Sequence, residues 1–172
     1  NTAQLAAFAS ALRFEDIPAP VVRKIEDLLV DWFGSAVAGH GTRPVESITR
    51  FAQAMGAADG PSEVIINRAR TSPYLAAMAN AAASHVAEQD DVHNGSVFHP
   101  ATVVFPPAVA VAQALGASGQ QLLAASVVGY EVGSKLGAAS QLRGAMHPHG
   151  TWGTIGAGAA CARVAGMAAS EM

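Results

Sequence analysis

The sequence is poor in cysteine, in aromatic residues and in charge. Of its 172 residues, one is cysteine, 6% are aromatic and 13% are charged. The single Cys161 permits neither a disulfide within the chain nor a CxxC metal site. Both limits fit a reducing compartment, so we expect a cytoplasmic protein.

Basic residues are also scarce. Ten Lys and Arg against thirteen Asp and Glu leave a formal net charge of −3, and there is no basic run. Such a chain lacks the positive patches of proteins that bind nucleic acids or anionic membranes. We therefore expect no nucleic acid and no membrane among its partners. The N-terminus has no basic stretch ahead of its apolar residues, which argues against a signal peptide.

The two most apolar stretches, residues 101–117 and 150–169, do not resemble membrane spans. The first contains Pro106 and Pro107, and the second is mostly Gly and Ala with a charge inside it. Buried helices fit both stretches better. In the second stretch, Gly153, Gly156 and Ala160 recur at helical spacing. This spacing predicts a flat stripe against which another helix packs closely.

Helical periodicity dominates the rest of the chain. Together with 51% hydrophobic residues, it predicts one domain over residues 1–172 with a large core. Helix starts are predicted near Thr2, Pro20, Pro44, Ser72, Pro100 and Ser118, and a last helix follows residue 150. The only strand candidate is residues 63–66. The predicted fold class is all-α, a helix bundle with at most one short hairpin.

The helix predicted over residues 44–55 illustrates how the buried faces are assigned. Its apolar residues recur every three or four positions: Val45, Ile48, Phe51 and Met55. Because such positions lie on one side of a helix, these four residues are its predicted apolar face.

A polar segment without any period separates two of the predicted helices. Its sequence, EQDDVHNGSVFHP at residues 88–100, contains Glu88, Asp90, Asp91, His93 and His99. Imidazole titrates near neutral pH, and a nearby carboxylate can orient it and support its protonated form. The segment is therefore a candidate proton-transfer site. The alternative is that Asp and Asn here only form turns and that His99-Pro100 only begins a helix.

A second polar loop contains His147 and His149 just before the Gly/Ala-rich helix. An HxH pair also suits a metal, so a zinc site built from Asp91, His93, His147 and His149 is an alternative hypothesis. Dinucleotide, P-loop and nucleophile-elbow motifs are missing from the sequence, which argues against cofactors and reactions that depend on them.

Several spaced motifs together resemble the MmgE/PrpD family of enzymes. An Ala-rich helix runs into an acidic loop with an Asp-Asp pair, ANAAASHVAEQDDVH at residues 79–93. It is followed by His99-Pro100, by GYEV at residues 129–132 and by HPHGTWG at residues 147–153. These motifs occur in the family's order and cover essentially the whole chain, which makes the resemblance more specific than any single motif.

The resemblance implies a cofactor-independent enzyme with a helical domain and a smaller α/β lid. This chain would be the N-terminal portion of the helical domain, without the lid. The family's active-site histidines match His99 and His147, and its Asp-Asp pair matches Asp90 and Asp91, so these four are the predicted catalytic residues. Its first loop carboxylate, usually Asp, matches Glu88. We expect Glu88, His93 and His149 to bind substrate, with no metal.

Two departures from the family pattern bear on the reaction. A Thr often found after the Asp-Asp pair is Val92 here, and His99 needs one inserted residue to align with the family's decarboxylase. Both departures argue against decarboxylation. The resemblance then implies a lyase that dehydrates 2-methylcitrate or a similar hydroxy polycarboxylate. An epimerase acting on a substrate such as iminodisuccinate is the alternative within the family.

The ends of the sequence suggest a piece of a longer polypeptide or a split-gene subunit. It begins at Asn1, and Ser170 near its end looks like the N-cap of a further helix. A frayed tail is the alternative. We expect a homodimer or a complex with a chain that supplies the lid. A non-catalytic helical subunit that depends on such a partner is the remaining hypothesis.

Overall fold

Seven α-helices account for most of the residues that the structure describes. The computed structural model describes residues 2–172. The helices are α1 (Thr2–Ala11), α2 (Ala19–Ala38), α3 (Arg43–Met55), α4 (Pro73–His85), α5 (Pro100–Leu115), α6 (Gly119–Ala138) and α7 (Thr154–Val164). A 3-10 turn over Phe14–Asp16 precedes α2, and a π-helical turn over His149–Gly153 leads into α7. The predicted all-α fold class is confirmed.

The helix starts follow from capping residues. The Ser72 side chain accepts a hydrogen bond from the backbone N–H of Leu75, which is otherwise unpaired in the first turn of α4. Ser118 and Gln121 form a reciprocal capping box at the start of α6. Both starts agree with the sequence prediction.

The predicted strand at residues 63–66 is only partly correct. A two-residue strand, Ser62–Glu63 (β1), pairs antiparallel with Arg70–Thr71 (β2). Residues 65 and 66 lie in the turn between them, where the backbone N–H of Ile65 donates to the Asn80 side chain at 2.8 Å. The ladder continues for one hydrogen bond, from the backbone N–H of Val64 to the carbonyl oxygen of Ala69 at 2.8 Å, and ends where Ile65 bonds to α4 instead. The chain thus forms one short hairpin, as predicted.

The buried face of α3 differs from the predicted one. Val45, Thr49 and Ala52 are buried, whereas Phe51 and Met55 are 48% and 67% exposed. Helix α3 packs on α4, and the buried stripe is the side of α3 that meets that helix. The apolar face of α3 is wider than the part that contacts α4. Periodicity alone therefore predicted the wrong set of buried residues.

Of the predicted stripe, Gly156 and Ala160 of α7 lie against α6, whereas Gly153 precedes α7 and faces Val103 and Phe98. A Cβ atom on Gly156 would lie 2.7 Å from the carbonyl oxygen of Gly129, and one on Gly129 would lie 3.0 Å from the carbonyl oxygen of Gly156. Only glycine permits this approach. We call Gly129, Gly133 and Gly156 the glycine contact. Within residues 2–172, no helix is long and apolar enough to cross a membrane.

Helix α5 runs through the centre of the fold and contacts α2, α4, α6 and α7. Its Phe105 ring packs on the fully buried ring of Trp32, with centroids 5.6 Å apart. Ala101 and Ala124 belong to the same core cluster. Because α5 is held on all these sides, its N-terminus at Pro100 is a fixed point. The polar segment of residues 88–99 ends at that point.

Candidate active site

The two adjacent aspartates bind the N-terminus of α5. An Asp91 carboxylate oxygen accepts from the backbone N–H of Ala101 at 2.9 Å, and Asp90 accepts from that of Thr102 at 3.1 Å. These N–H groups lack partners within the helix, and the helix dipole favours negative charge there. The two carboxylates, here called the carboxylate pair, therefore fix the polar loop onto α5.

Asp90 also faces His99, the N-cap residue of α5. Its second carboxylate oxygen lies 3.2 Å from His99 Nδ1. The two atoms are not aligned as a hydrogen bond and have no other partner. Catalytic hydrogen bonds are often poorly aligned before substrate binds and tighten afterwards. The Asp90 side chain is fully buried, and this burial raises the pKa of its carboxyl, while the nearby imidazole of His99 opposes the shift.

Asp91 faces a different neighbour, the half-buried Tyr130 of α6. Burial raises the pKa of Asp91, and the hydrogen bond from Ala101 opposes that shift. Burial and then the Asp91 carboxylate raise the pKa of the Tyr130 hydroxyl well above its ordinary value. Asp91 therefore binds α5 beside Tyr130 of α6, whereas Asp90 binds α5 beside an imidazole.

His147 and His149 lie next to this pair. The backbone N–H of His99 donates to Nε2 of His149 at 3.1 Å, and Nδ1 of His149 lies 3.1 Å from Nδ1 of His147. Burial, followed by the neighbouring imidazoles of His147, His85 and His99, lowers the pKa of His149 to about 4. His149 is thus neutral at physiological pH, while His147 is exposed at the edge of the site.

A fourth imidazole, His85, completes the group and was not predicted from the sequence. Its ring centroid lies 5.3 Å from that of His149 and 6.0 Å from that of His99. Its Nδ1 is buried without a hydrogen-bond partner. The residue belongs to the motif at residues 79–93, so the signal was present, but its position on a helix disguised it. We call His85, His99, His147 and His149 the histidine cluster.

Two predicted site residues lie apart from the cluster. His93 is exposed, and its Nδ1 contacts the Ser96 hydroxyl at 2.6 Å. Glu88 is also exposed, with a left-handed backbone at φ 47° just after α4. Within residues 2–172, neither side chain contacts the histidine cluster. Their proposed role in substrate binding remains a prediction.

The residues of the hypothetical zinc site do not form one ligand set. Asp91 is turned toward the α5 N-terminus, His93 toward Ser96, and both nitrogens of His149 have partners. In the part of the chain that the structure describes, no three His, Cys, Asp or Glu side chains are grouped to hold a metal ion.

The chemistry that this arrangement of side chains supports is proton transfer. A buried carboxylate supports one imidazole, and a second imidazole is presented at the surface of the same cluster. Such groups, held on rigid helix ends, are suited to general acid and base catalysis. A cavity of about 490 Å³ lies elsewhere, between α1, α6 and α7, and is lined mainly by apolar residues.

Known proteins match this chain over nearly its whole length. Residues 3–172 match the MmgE/PrpD N-terminal domain. The chain is 32% identical over 145 residues to a cis-aconitate decarboxylase of Aspergillus terreus, which covers 80% of this chain and 29% of that protein. It is 28% identical over 186 residues to a cis-aconitate decarboxylase-like protein of Aspergillus oryzae, covering 99% of this chain and 37% of that protein.

The chain therefore spans well under half the length of these curated relatives. The domain model nevertheless matches nearly the whole of this chain, because only the first two residues lie outside the match. This chain belongs to the MmgE/PrpD family and contains its N-terminal domain.

Proposed function

We propose that the whole protein is a lyase that acts on a small polycarboxylate by proton transfer. Dehydration of a hydroxy acid such as 2-methylcitrate is the first candidate reaction. The observation that carries the proposal is the contact between His99 and the buried Asp90 at the N-terminus of α5. A carboxylate behind an imidazole is the arrangement that makes a histidine an effective base.

His99 is the proposed base. With its Nδ1–H directed at Asp90, its Nε2 is free of a proton and can take one from the carbon next to a substrate carboxylate. The C–H electron pair then forms the new double bond while the C–O bond breaks. The departing hydroxide combines with the abstracted proton, so the net product is water. Asp90 stabilises the His99 imidazolium between these steps.

His147 is the proposed donor at the leaving oxygen. It is exposed beside the cluster, where a substrate has access to it. A hydrogen bond to the departing oxygen stabilises the negative charge that develops there. Asp91 is proposed to act through position, because it holds α5 and contacts no histidine.

The groups that bind the substrate carboxylates are proposed to come from outside this chain. Within residues 2–172, no lysine or arginine contacts the histidine cluster. Carboxylates are usually held by such cations. We propose that a lid domain of the same protein, or of a partner chain in a dimer or complex, covers the cluster and supplies them.

Decarboxylation of cis-aconitate is the second candidate, and the names of the curated relatives favour it. In that reaction a C–C bond breaks as carbon dioxide leaves, and an imidazolium of the cluster protonates the carbon that is left. The same two histidines serve both reactions, with the direction of the first proton transfer reversed.

The test is an assay of the whole protein against 2-methylcitrate, citrate, cis-aconitate and iminodisuccinate. We expect turnover of at least one of them and loss of that turnover in His99→Gln. Formation of an alkene from a hydroxy acid supports the dehydratase, whereas carbon dioxide release supports the decarboxylase. No turnover of any polycarboxylate, with the protein folded, would remove the proposed function.

A further inference from the structure

His149 has hydrogen-bond partners on both of its ring nitrogens. One is the backbone N–H of His99 at the start of α5, and the other is the ring of His147. The His149 ring also packs edge-on against buried Phe98, with centroids 6.0 Å apart. The residue therefore connects a rigid helix end to an exposed histidine.

The protonation states along this connection follow from one fact. A backbone N–H can only donate, so the Nε2 of His149 that accepts from His99 carries no proton. A neutral imidazole has a single proton, which must then be on Nδ1. That Nδ1–H donates to Nδ1 of His147, so Nδ1 of His147 carries no proton either. The proton of a neutral His147 is left on Nε2.

The surroundings of His149 keep it in this state. The titratable groups that face it are His85 from α4, His99 from the N-cap of α5 and His147 from its own loop, and Asp90 lies behind His99. A second proton would have to bind Nε2 and break the hydrogen bond to α5. The pKa of His149, lowered to about 4 by burial and the three imidazoles, agrees with this geometry.

The backbone around His149 holds the connection in place. The Thr151 hydroxyl donates to the carbonyl oxygens of His147 and Pro148, at 3.1 and 2.9 Å. These bonds stabilise the π-helical turn that begins at His149. The His147 ring stacks on that of His149 with centroids 4.5 Å apart. The two rings are thus placed by the turn and by each other.

We propose that His149 is a positioning residue that holds His147 in the Nε2–H tautomer. His147 then presents a hydrogen-bond donor to the substrate, which leaves His99 as the group that accepts the proton. The assignment of these two roles rests on the proposed function, whereas the tautomer of His147 does not. His149 itself need not touch substrate.

The test is NMR of the whole protein labelled with ¹⁵N-histidine, in which nitrogen shifts distinguish protonated from free ring nitrogens. We expect His147 to show a proton on Nε2 and a free Nδ1. His149→Phe removes both hydrogen bonds, so His147 should become a mixture of tautomers and kcat should fall at least about tenfold. His149→Asn keeps a side-chain N–H donor near the original Nδ1, so the Nε2–H tautomer and most of kcat should return.

Two results would overturn the proposal: a wild-type His147 with its proton on Nδ1, or a His147 tautomer that is unchanged in His149→Phe. The wild-type and His149→Asn spectra decide the question even where the Phe variant does not fold. Because NMR needs no substrate, an inactive protein with the expected tautomers would count against the lyase assignment while supporting the role of His149.

Discussion

The glycine contact and the carboxylate pair are neighbouring regions built on opposite principles. At the glycine contact, α6 and α7 approach so closely that backbone atoms of Gly129, Gly133 and Gly156 meet, and the surrounding side chains that these glycines face are apolar: Val104, Ala160 and Phe98. Around the carboxylate pair, burial raises the pKa of both aspartates, so their charge is held at a cost in stability. The glycine contact holds α6 and α7 rigidly together, and the carboxylate pair needs such a rigid surrounding to keep its buried charges in place.

Buried polar atoms without hydrogen-bond partners also distinguish the site from the rest of the core. Of the seven buried side-chain atoms without a hydrogen-bond partner in residues 2–172, four belong to His85, Asp90, His99 and Tyr130. Native proteins rarely leave such atoms without a role, and perturbed groups concentrate at functional sites. The comparison therefore predicts that changes at the carboxylate pair affect rate, whereas changes at the glycine contact affect stability.

The largest expected effect is at His99. Replacing it with Gln in the whole protein removes the proposed base but retains a polar side chain of similar size. We expect kcat to fall by roughly 100- to 10,000-fold, the usual contribution of a general base, with unchanged helical content by circular dichroism. His40→Gln, an exposed histidine after α2, is the matched control. Equal kcat values in the two variants would contradict the claim that His99 takes part in the reaction.

The two aspartates should differ from each other. Asparagine at either position keeps an oxygen that can accept from the α5 backbone, but only Asp90 faces His99. We expect Asp90→Asn to lower kcat by about 100-fold or more and Asp91→Asn by less than about tenfold. Steady-state kinetics of both variants checks this. Equal losses would show that the pair acts as one unit.

At the glycine contact the effect should be on stability. Gly156→Ala places a methyl group 2.7 Å from a backbone oxygen, and such overpacking costs about 1–3 kcal/mol of unfolding free energy. The control is Gly158→Ala on the same helix, where nothing lies within 4 Å. There alanine should stabilise α7 by up to about 1 kcal/mol. Urea unfolding measures both, and a stable Gly156→Ala variant would contradict the packing.

Acid should destabilise the histidine cluster through His149. Its folded pKa of about 4 is below the ordinary 6.5, so the unfolded chain binds more protons between these values. Stability is then lost as pH falls from 6.5 toward 4, by at most about 3 kcal/mol and less after solvent screening. Asp90 and Asp91, with raised pKa values, oppose this trend. His149→Asn should flatten the loss, and melting temperatures across this pH range would show whether it does.

Glu88 should give the smallest effect. Because it is exposed and contacts no cluster residue, Glu88→Gln and Glu88→Asp are expected to change kcat and KM by less than about twofold. Kinetics on each accepted substrate is the check. A loss of tenfold or more would return Glu88 to the substrate-binding group that the family pattern implies.

The sequence predicted the helices well because each has its own local signal. Caps at Ser72 and Ser118 and the spacing of small residues in α7 required no knowledge of the fold. The buried face of α3 was wrong because a packing partner selects part of a wide apolar arc. Sequence periodicity cannot report which part that is.

The site was predicted in composition but not in geometry. The polar loop correctly contained Asp90, Asp91 and His99, yet their hydrogen bonds to α5 depend on how the loop turns back. His85 was missed because a histidine on an Ala-rich helix looks like any other helix residue. The hydrogen bonds that connect His99 through His149 to His147 join residues up to 50 positions apart in the sequence. No local sequence pattern encodes such a contact.

The central claim, that His99 supported by Asp90 moves the substrate proton, is tested most directly by hydrogen exchange. The whole protein is incubated in D₂O with its accepted polycarboxylate and the corresponding product, and the deuterium that the enzyme adds to the reacting carbon, in reverse dehydration or in decarboxylation, is followed by mass spectrometry. We predict that the wild type incorporates deuterium and that His99→Gln does so at least about 100-fold more slowly. Incorporation by His99→Gln at the wild-type rate would contradict the claim.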